Sequence, residues 1–472
     1  MIHPALSRIR DSLTGTKYEQ DVFLVGGAVR DQLLGRTYTT DFDLVSEQSG
    51  IEIAQFLFSQ GISSIHPVTF ESFGTAMVIV DGIKIEIIQC RKESYHHGSR
   101  KPDVCPGTYL DDAERRDFTL NSLQLNLWTE QIVDILGTGL SDLQQGILRT
   151  PLDPHKTFQD DPLRILRAIR FKHRFGFQFA EGLDRAIRIE ADQLQHISHE
   201  RIRDEILKIT HFPTAAAALS EMMTLGLLEQ FAIDFVPTVG CDQGKFHHLD
   251  VWNHTLAVVK NSYTCAISHP LFNESLHEEE REILTLACLF HDIGKPKTRK
   301  PGEKGAVHFY THEHVGAEMT TSILKEWRLP STTIERISKL VKHHMRLASA
   351  HVFSLPAARR LLRDLGEDWS LLLRLIDADS RGLKANIQPI NLETIVQQIT
   401  TALTDQAAPT FEPPLNGEEI MQCLGIPPGP QIKKYKDLLS EKVLDGELLS
   451  NDQEKARQII LAEFNKHSQA TN

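Results

Sequence analysis

The stretch Phe23-Leu-Val-Gly-Gly-Ala-Val-Arg-Asp31, followed ten residues later by Asp41-Phe-Asp43, constrains this chain more than any other. Val22 to Val25 is short and apolar, which predicts a buried strand. Gly26-Gly27 can adopt positive φ and lets backbone N–H groups approach an anion. Ala28 to Leu34 then reads as a helix ended by Gly35, so the turn is an anion cradle at a helix start. Thr40 to Val45 alternates as a second strand, and residues two apart on a strand share a face, so Asp41 and Asp43 point the same way. Two carboxylates that close repel each other, and divalent cations would neutralise them. A pair of Mg²⁺ ions about 4 Å apart suits phosphoryl or nucleotidyl transfer, clamping the attacking hydroxyl and the leaving pyrophosphate.

In this order and spacing, Gly26-Gly27 with Asp41-Phe-Asp43 resembles the signature of the class II tRNA nucleotidyltransferases and their poly(A) polymerase relatives, whose heads are similar to polymerase β. The likeness implies Asp41 and Asp43 as the catalytic, Mg²⁺-holding pair, and Gly26, Gly27, Arg30 and Arg116 on the triphosphate. It continues at Arg115-Arg-Asp-Phe-Thr-Leu-Asn-Ser122, similar to the family's motif for ribose and triphosphate, which implies that Asp117 and Asn121 contact the sugar. Guanidinium forks match phosphate oxygens, and a carboxylate accepts from ribose hydroxyls. Taken alone, the same run reads as a helix start capped by Asp117. Lys84 to Cys90 alternates as another strand of the sheet, with Glu86 a surface residue or a third carboxylate. Arg91 to Asp103, with Arg91, Lys92, His96, His97, Arg100 and Lys101, reads as a mobile basic loop over the site.

Phe158-Gln-Asp-Asp-Pro-Leu-Arg-Ile-Leu-Arg-Ala-Ile-Arg-Phe171 reads as a helix opening at Asp160 and Asp161, with Pro162 in its first turn. It is similar to the family motif that reads the incoming base. That implies Watson–Crick-like hydrogen bonds from Asp161 and Arg164 to cytosine or adenine, with Arg167 among the nucleotide-binding residues. Asp161 and Arg164 at i and i+3 share a face and offer an acceptor and a donor. Many relatives have Glu where this chain has the shorter Asp160. Arg164, Arg167 and Arg170 with Lys172, His173 and Arg174 make a basic surface suited to the phosphates of an RNA end, or an ordinary solvated stripe. Ser198 to Lys208 resembles the helix that buttresses the base site, and its Glu200 is equally explained by helix capping with Ser198.

The second half carries an independent signal: His254, His291-Asp292 within Ala287-Cys-Leu-Phe-His-Asp-Ile-Gly-Lys295, and Asp379 within Ala378-Asp-Ser-Arg-Gly382. This resembles the HD metal-dependent phosphohydrolase domain, which implies His254, His291, Asp292 and Asp379 as ligands of a divalent metal of unspecified identity. Imidazole nitrogens with carboxylate oxygens suit such a cation. Asp377 is an alternative to Asp379, and His312, His314, His343 and His344 could extend the site to a second metal. Lys295 is near enough in sequence to hold a phosphate.

With 41% hydrophobic and 24% charged residues, 472 residues suffice for two or three cores. The expected class is α+β: a small mixed-sheet head at 20–150, a helical neck and body at 151–238 binding base and RNA, an HD domain at 242–400, and a helical tail at 417–466. Gly137 to Asp153 reads as a turn-rich joint and Ala408 to Asn416 as a linker. A net charge of −12 argues against indiscriminate coating of nucleic acid. The six cysteines are far apart, without zinc spacing, and are expected to be reduced and buried. No membrane span or secretory leader is read, so the cytoplasm is the expected compartment. The oligomeric state is not legible.

The expected function is template-independent addition of CCA to the tRNA 3′ end from CTP and ATP. CC-only or A-only addition, or poly(A) synthesis, are the nearest alternatives. An HD phosphohydrolase with a nucleotide-sensing head and a non-catalytic RNA-binding protein are the more distant ones.

Overall fold

The computed structural model describes residues 2–36, 41–94, 103–244, 248–303, 306–347, 353–383, 391–404 and 412–469. The chain divides into two compact units, Met1–Ile233 and Asp234–Asn472.

The first unit opens with a helix, Pro4–Leu13, and then builds its strands: β1 Phe23–Val25, β2 Asp41–Ser46, β3 Val68–Phe70, β4 Thr75–Val80 and β5 Ile83–Gln89. A hairpin of β6 Arg91–Ser94 and β7 Asp103–Pro106 follows, then β8 Gln124–Asn126 and β9 Ile132–Val133. Seven of these form one sheet in the order β3-β4-β5-β2-β1-β8-β9. β2 and β5 run parallel, and the other neighbours are antiparallel.

Alternation explains the two faces. Phe42, Leu44, Ala76, Val78, Ile85 and Ile87 are all buried, under the helix Gly50–Ser59 with its buried Ile53, Ala54 and Leu57. Gly50 is required there: a Cβ would strike the Ile87 carbonyl and come within 2.9 Å of the Gly74 carbonyl. The opposite face carries Asp41 and Asp43, as the period of two demands.

Helices Pro154–Asp160, Leu163–Phe175, Leu183–Ile189, His199–Thr210 and Ala215–Thr224 complete the first unit. Leu163–Phe175 buries Ile165, Leu166, Ala168 and Ile169 on one side and joins His199–Thr210 through a buried Arg170–Glu205 pair at 2.6 Å. The second unit is helical, with Val251–Asn261, Glu278–Phe290, His312–Glu326, Ser331–His343, Leu355–Leu365, Trp369–Ser380 and Leu392–Thr404 as principal elements. Its final helices, Gly417–Leu424, Pro430–Leu444 and Gln453–Gln469, enclose a core of Leu415, Ile420, Leu439, Val443 and Ile460. No helix of the described residues is long and apolar enough to cross a membrane.

Four local expectations are corrected. The 137–153 joint contains a helix, Gly139–Gln145, and a short strand, Ile147–Leu148, because Leu143 and Leu148 bury against the fold and Asp142 accepts hydrogen bonds from Thr119 and Arg149. Asp160 ends one helix and does not open the next: Asp153 caps Pro154–Asp160 by accepting from Lys156 N, and the following helix begins at Leu163. The described ends of the basic loop are strands β6 and β7, where Lys92 pairs with Cys105 and Glu93 with Val104, while 95–102 lie outside the described residues. Of the six cysteines, none of them in a disulfide, only Cys90, Cys241 and Cys288 are buried; Cys105 is exposed.

Candidate active site and metal centre

The strand-turn-helix of the head opens a cavity of about 380 Å³, lined among others by Gly26, Gly27, Arg30, Asp43, Arg116, Asp117, Asn121, Asp161, Arg164 and Arg167. Gly26 takes φ 75°, and a Cβ there would stand 3.5 Å from both Asp43 Oδ2 and Arg116 Nη1. A side chain would therefore meet strain and the two groups the turn brings together. Asp43 sits between Val25 and Glu86 in the sheet register, and Asp41 lies opposite Lys84 at the exposed start of β2. Burial, and then the charges of Glu86 and Asp41, push the Asp43 carboxyl above its ordinary range against the pull of Arg116. A cation would reverse that balance, so the donor set fits a divalent metal. Because burial raises the Asp43 carboxyl above its ordinary range, Mn²⁺ affinity at the head is expected to weaken as the pH falls toward that range; calorimetric titration showing affinity independent of pH would refute this. Glu86 accepts from Lys84 at 2.7 Å, and no described His, Cys, Asp or Glu forms a tight three-ligand group with Asp41 and Asp43.

Four of the predicted nucleotide-binding residues form one hydrogen-bonded chain. Arg30 donates through Nε to Asp31 and through Nη1 to Asn121 Oδ1, each at 2.7 Å. Asn121 Nδ2 donates to Asp117 Oδ1 at 2.8 Å, and Arg167 Nε donates to Asp117 Oδ2 at 2.7 Å. Burial would raise the Asp117 carboxyl, but Arg167 and the Asn121 amide hold it below its usual range. The Arg30 guanidinium carbon lies 5.1 and 4.8 Å from the ring centres of Phe171 and Phe175, which stack on each other. These contacts fix the charged groups before any ligand arrives.

Arg116 is held by Asp112, with Nε and Nη2 at 3.0 and 2.8 Å from Oδ2, and Arg115 bonds the other oxygen of the same fully buried carboxylate. Sequence reasoning passed over Asp112; its signal was an acidic residue one turn ahead of two arginines. Asp112→Ala would leave both guanidiniums without that partner, at a cost of about 3–5 kcal/mol. The unfolding midpoint is expected to drop by roughly 10 °C in calorimetry; an unchanged midpoint would contradict the role.

Asp161 and Arg164 both line the cavity, each already tethered. Asp161 Oδ2 accepts from Arg201 Nη2 at 2.9 Å, while Arg164 donates to the carbonyls of Arg115 at 2.6 Å and Thr157 at 3.3 Å. Arg201 was not singled out from the sequence, although it lies in the buttressing helix. Ser198 does stand at the N-cap of that helix, but its side chain makes no capping bond.

In the second unit, the donor atoms of His254, His291 and Asp379 gather within 4.8 Å of one another, as do those of Asp292, His312 and His344. Asp292 joins the two sets: Oδ2 lies 3.2 Å from His291 Nε2, and Oδ1 lies 3.4 Å from His312 Nε2. Asp379 Oδ1 is 3.0 Å from His254 Nε2. Asp377 is turned away, accepting from Arg381 at 2.7 Å and Ala266 N at 3.1 Å. His291, His312 and His344 each place Nδ1 at 2.7–2.8 Å from a backbone carbonyl three residues earlier. In a neutral imidazole, as in any metal-ligating one, such a nitrogen donates and Nε2 carries the lone pair. The Nε2 atoms of His312 and His344 nevertheless face each other at 3.3 Å, and burial pushes the His344 imidazole down to about 3. Two facing lone pairs fit a cation between them. His314 is exposed and His343 half-buried, and neither joins the cluster. Lys295 is buried with Nζ bonded to Asp292 and Gln243, each at 2.6 Å, so it orders the cluster from one side.

Family models for the poly A polymerase head domain, the probable RNA- and SrmB-binding site of polymerase A and the HD domain match residues 22–149, 176–235 and 251–396. An A-adding tRNA nucleotidyltransferase of Deinococcus radiodurans is 33% identical over 73% of this chain and 77% of its own length. A CC-adding tRNA nucleotidyltransferase of Thermus thermophilus is 30% identical over 94% of this chain and 93% of its own. The chain belongs to the tRNA nucleotidyltransferase family. Like other members of that family it is an enzyme, with a polymerase-type head followed by an HD domain. The chain also shares its fold with the Bacillus stearothermophilus CCA-adding enzyme solved with CTP, at 20% identity and a TM-score of 0.66 over 99% of this chain and 100% of that one.

Proposed function

We propose that this tRNA nucleotidyltransferase completes the tRNA 3′ end with C, C and A, using CTP and ATP and no nucleic-acid template. The observation that carries the reading is the single cavity in which Asp43, Gly26 and Arg116 meet the Arg30-Asn121-Asp117-Arg167 chain and the Asp161/Arg164 pair. In this reading Gly26, Gly27, Arg30 and Arg116 hold the triphosphate, Asp117 and Asn121 the ribose, and Asp161 with Arg164 the base edge. Divalent cations on Asp41 and Asp43, taken as Mg²⁺, would neutralise charge on the attacking and leaving oxygens. The terminal ribose hydroxyl of the RNA forms a bond to the α-phosphorus, the bond to the bridging oxygen breaks, and pyrophosphate leaves. Residues 20–150 act as head, 151–238 as neck and body, 242–400 as HD domain and 417–466 as tail.

The compared relatives bear names for CC and for A addition at similar identity, so the number of nucleotides added is the point to test. tRNA transcripts ending before C74, C75 and A76 are each expected to be extended, with CTP, CTP and ATP respectively. Failure of the last step alone would make the protein a CC-adding enzyme, failure of the first two an A-adding one, and poly(A) synthesis on unrelated RNA would remove the tRNA claim.

Arg201 bears on fidelity. Removing it frees Asp161 Oδ2, a charge-assisted contact worth about 1 kcal/mol at this exposure. Arg201→Ala is expected to lower the preference for CTP over UTP several-fold in competition assays, and unchanged discrimination would contradict this.

The second unit supports a further activity. The donor sets sharing Asp292 fit one or two divalent cations of unassigned identity, whose chemistry when bound would be to activate water toward a phosphoester. Chelator-sensitive release of phosphate from nucleoside monophosphates, or chelator-sensitive ring opening of cyclic phosphates to monoesters, tests this; absence of both activities in the metal-loaded protein would contradict it.

A further inference from the structure

The sheet face bearing Asp41 and Asp43 continues past them without the helix that covers the other side. In register, Asp43, Glu86, Met77 and Val68 lie side by side, and Val45, Ile88, Thr75 and Phe70 form the next row. Along these rows Val68 and Phe70 are 43% and 47% exposed, Phe73 is 41% exposed just beyond β3, and Met77 and Ile88 are half-buried. Phe70, Phe73, Thr75, Glu86, Ile88 and Arg91 border a groove of about 340 Å³. The Arg91 guanidinium carbon stands 5.2 Å from the Phe73 ring centre, fixed by Glu93 at 2.7 Å and by the Phe73 carbonyl at 3.4 Å.

We propose that this aromatic shelf holds the last unpaired nucleotides of the RNA being extended, their bases stacked on Phe73 and Phe70 beside Arg91. Exposed rings next to a fixed guanidinium provide the chemistry by which single-stranded bases are bound without sequence readout. The position specifies the occupant. Glu86 borders the groove and is the register partner of Asp43, so a strand lying here runs on into the reacting centre. β3 stands three strand spacings of about 4.8 Å from β2, within the span of a few nucleotides. A second copy is a poorer occupant, because β3 is an edge strand of three residues and offers almost no ladder. The inference rests on the reading that an RNA terminus reacts at Asp43.

The test pairs Phe70→Ala/Phe73→Ala with the single variant Phe73→Trp. In CMP incorporation on tRNA lacking its terminus, the double variant is expected to raise KM for tRNA on the order of 10- to 100-fold while leaving KM for CTP within twofold. Phe73→Trp is expected to keep the wild-type value. tRNA carrying 2-aminopurine three nucleotides from its end should lose fluorescence on binding the wild type and not on binding the double variant. Both rings are exposed, so an unchanged thermal midpoint is expected and verifies folding. Unchanged KM for tRNA with retained quenching would overturn the shelf, as would a wild-type dimer that the double variant dissolves. Phenylalanine-dependent quenching by an enzyme that incorporates nothing would uphold the shelf and remove the reading beneath it.

Discussion

Asp43→Ala is expected to reduce nucleotide incorporation on the order of 10³-fold, with KM for tRNA little changed. Of Asp41 and Asp43, the Asp43 carboxylate lines the cavity beside Gly26 and feels the charge of Arg116. If it holds a cation against the transferring phosphoryl group, its loss removes several kcal/mol of charge stabilisation that exists mainly in the transition state, and each 1.4 kcal/mol is about tenfold. Such an effect falls on kcat. Asp43→Asn, close in shape, should be equally inactive, which separates charge from packing. The variant is expected to bind no less firmly to tRNA, because a carboxylate repels phosphates. Activity within tenfold of wild type would mean that the pair does not serve the chemistry.

Asp292→Ala is expected to remove all tightly bound metal from the second unit and to abolish any phosphoesterase activity there, while leaving CMP incorporation intact. Among the described residues, Asp292 is the carboxylate that faces both donor sets, and it also accepts from Lys295. Its deletion takes a ligand from each set and leaves the ammonium of Lys295 facing the cluster, which repels a cation. His291→Ala, by contrast, should leave the set of His312 and His344 able to retain part of its metal. Metal analysis of the purified variants distinguishes these cases. Full metal content in Asp292→Ala would show that the histidines bind without it, and loss of CMP incorporation would couple the two units where none is expected.

How legible the site was depends on how local each signal is. Gly26-Gly27 with Asp41 and Asp43 could be read because a strand, a turn and a second strand all fall within about twenty residues, and the period of two settles the direction of both carboxylates. The Asp160-Pro162 break was misplaced because Asp153-Pro154 supplies an equally good start signal seven residues earlier, and the acidic pair then falls between two helices. Arg201 and Asp161 meet across forty residues of sequence, a distance that no periodicity encodes. Asp112 is similar in kind: its burial under Arg115 and Arg116 follows from packing. His291, His312 and His344 each have Nδ1 fixed by a backbone carbonyl three residues earlier, a feature of conformation alone. Asp377 and Asp379 stayed open in sequence because two residues on a helix differ by over half a turn, and only the position of His254 selects between them.

Asp41 and Asp43 are proposed to hold the cations at which an RNA terminus displaces pyrophosphate. The most direct measurement is Mn²⁺ binding by electron paramagnetic resonance in the presence of CTP, made in an Asp292→Ala background so that the second unit contributes no signal, alongside incorporation on tRNA lacking its terminus. Bound Mn²⁺ and incorporation are expected to vanish together when Asp41 and Asp43 are both changed to asparagine. Undiminished incorporation by that variant would show that the pair does not hold the reacting cations.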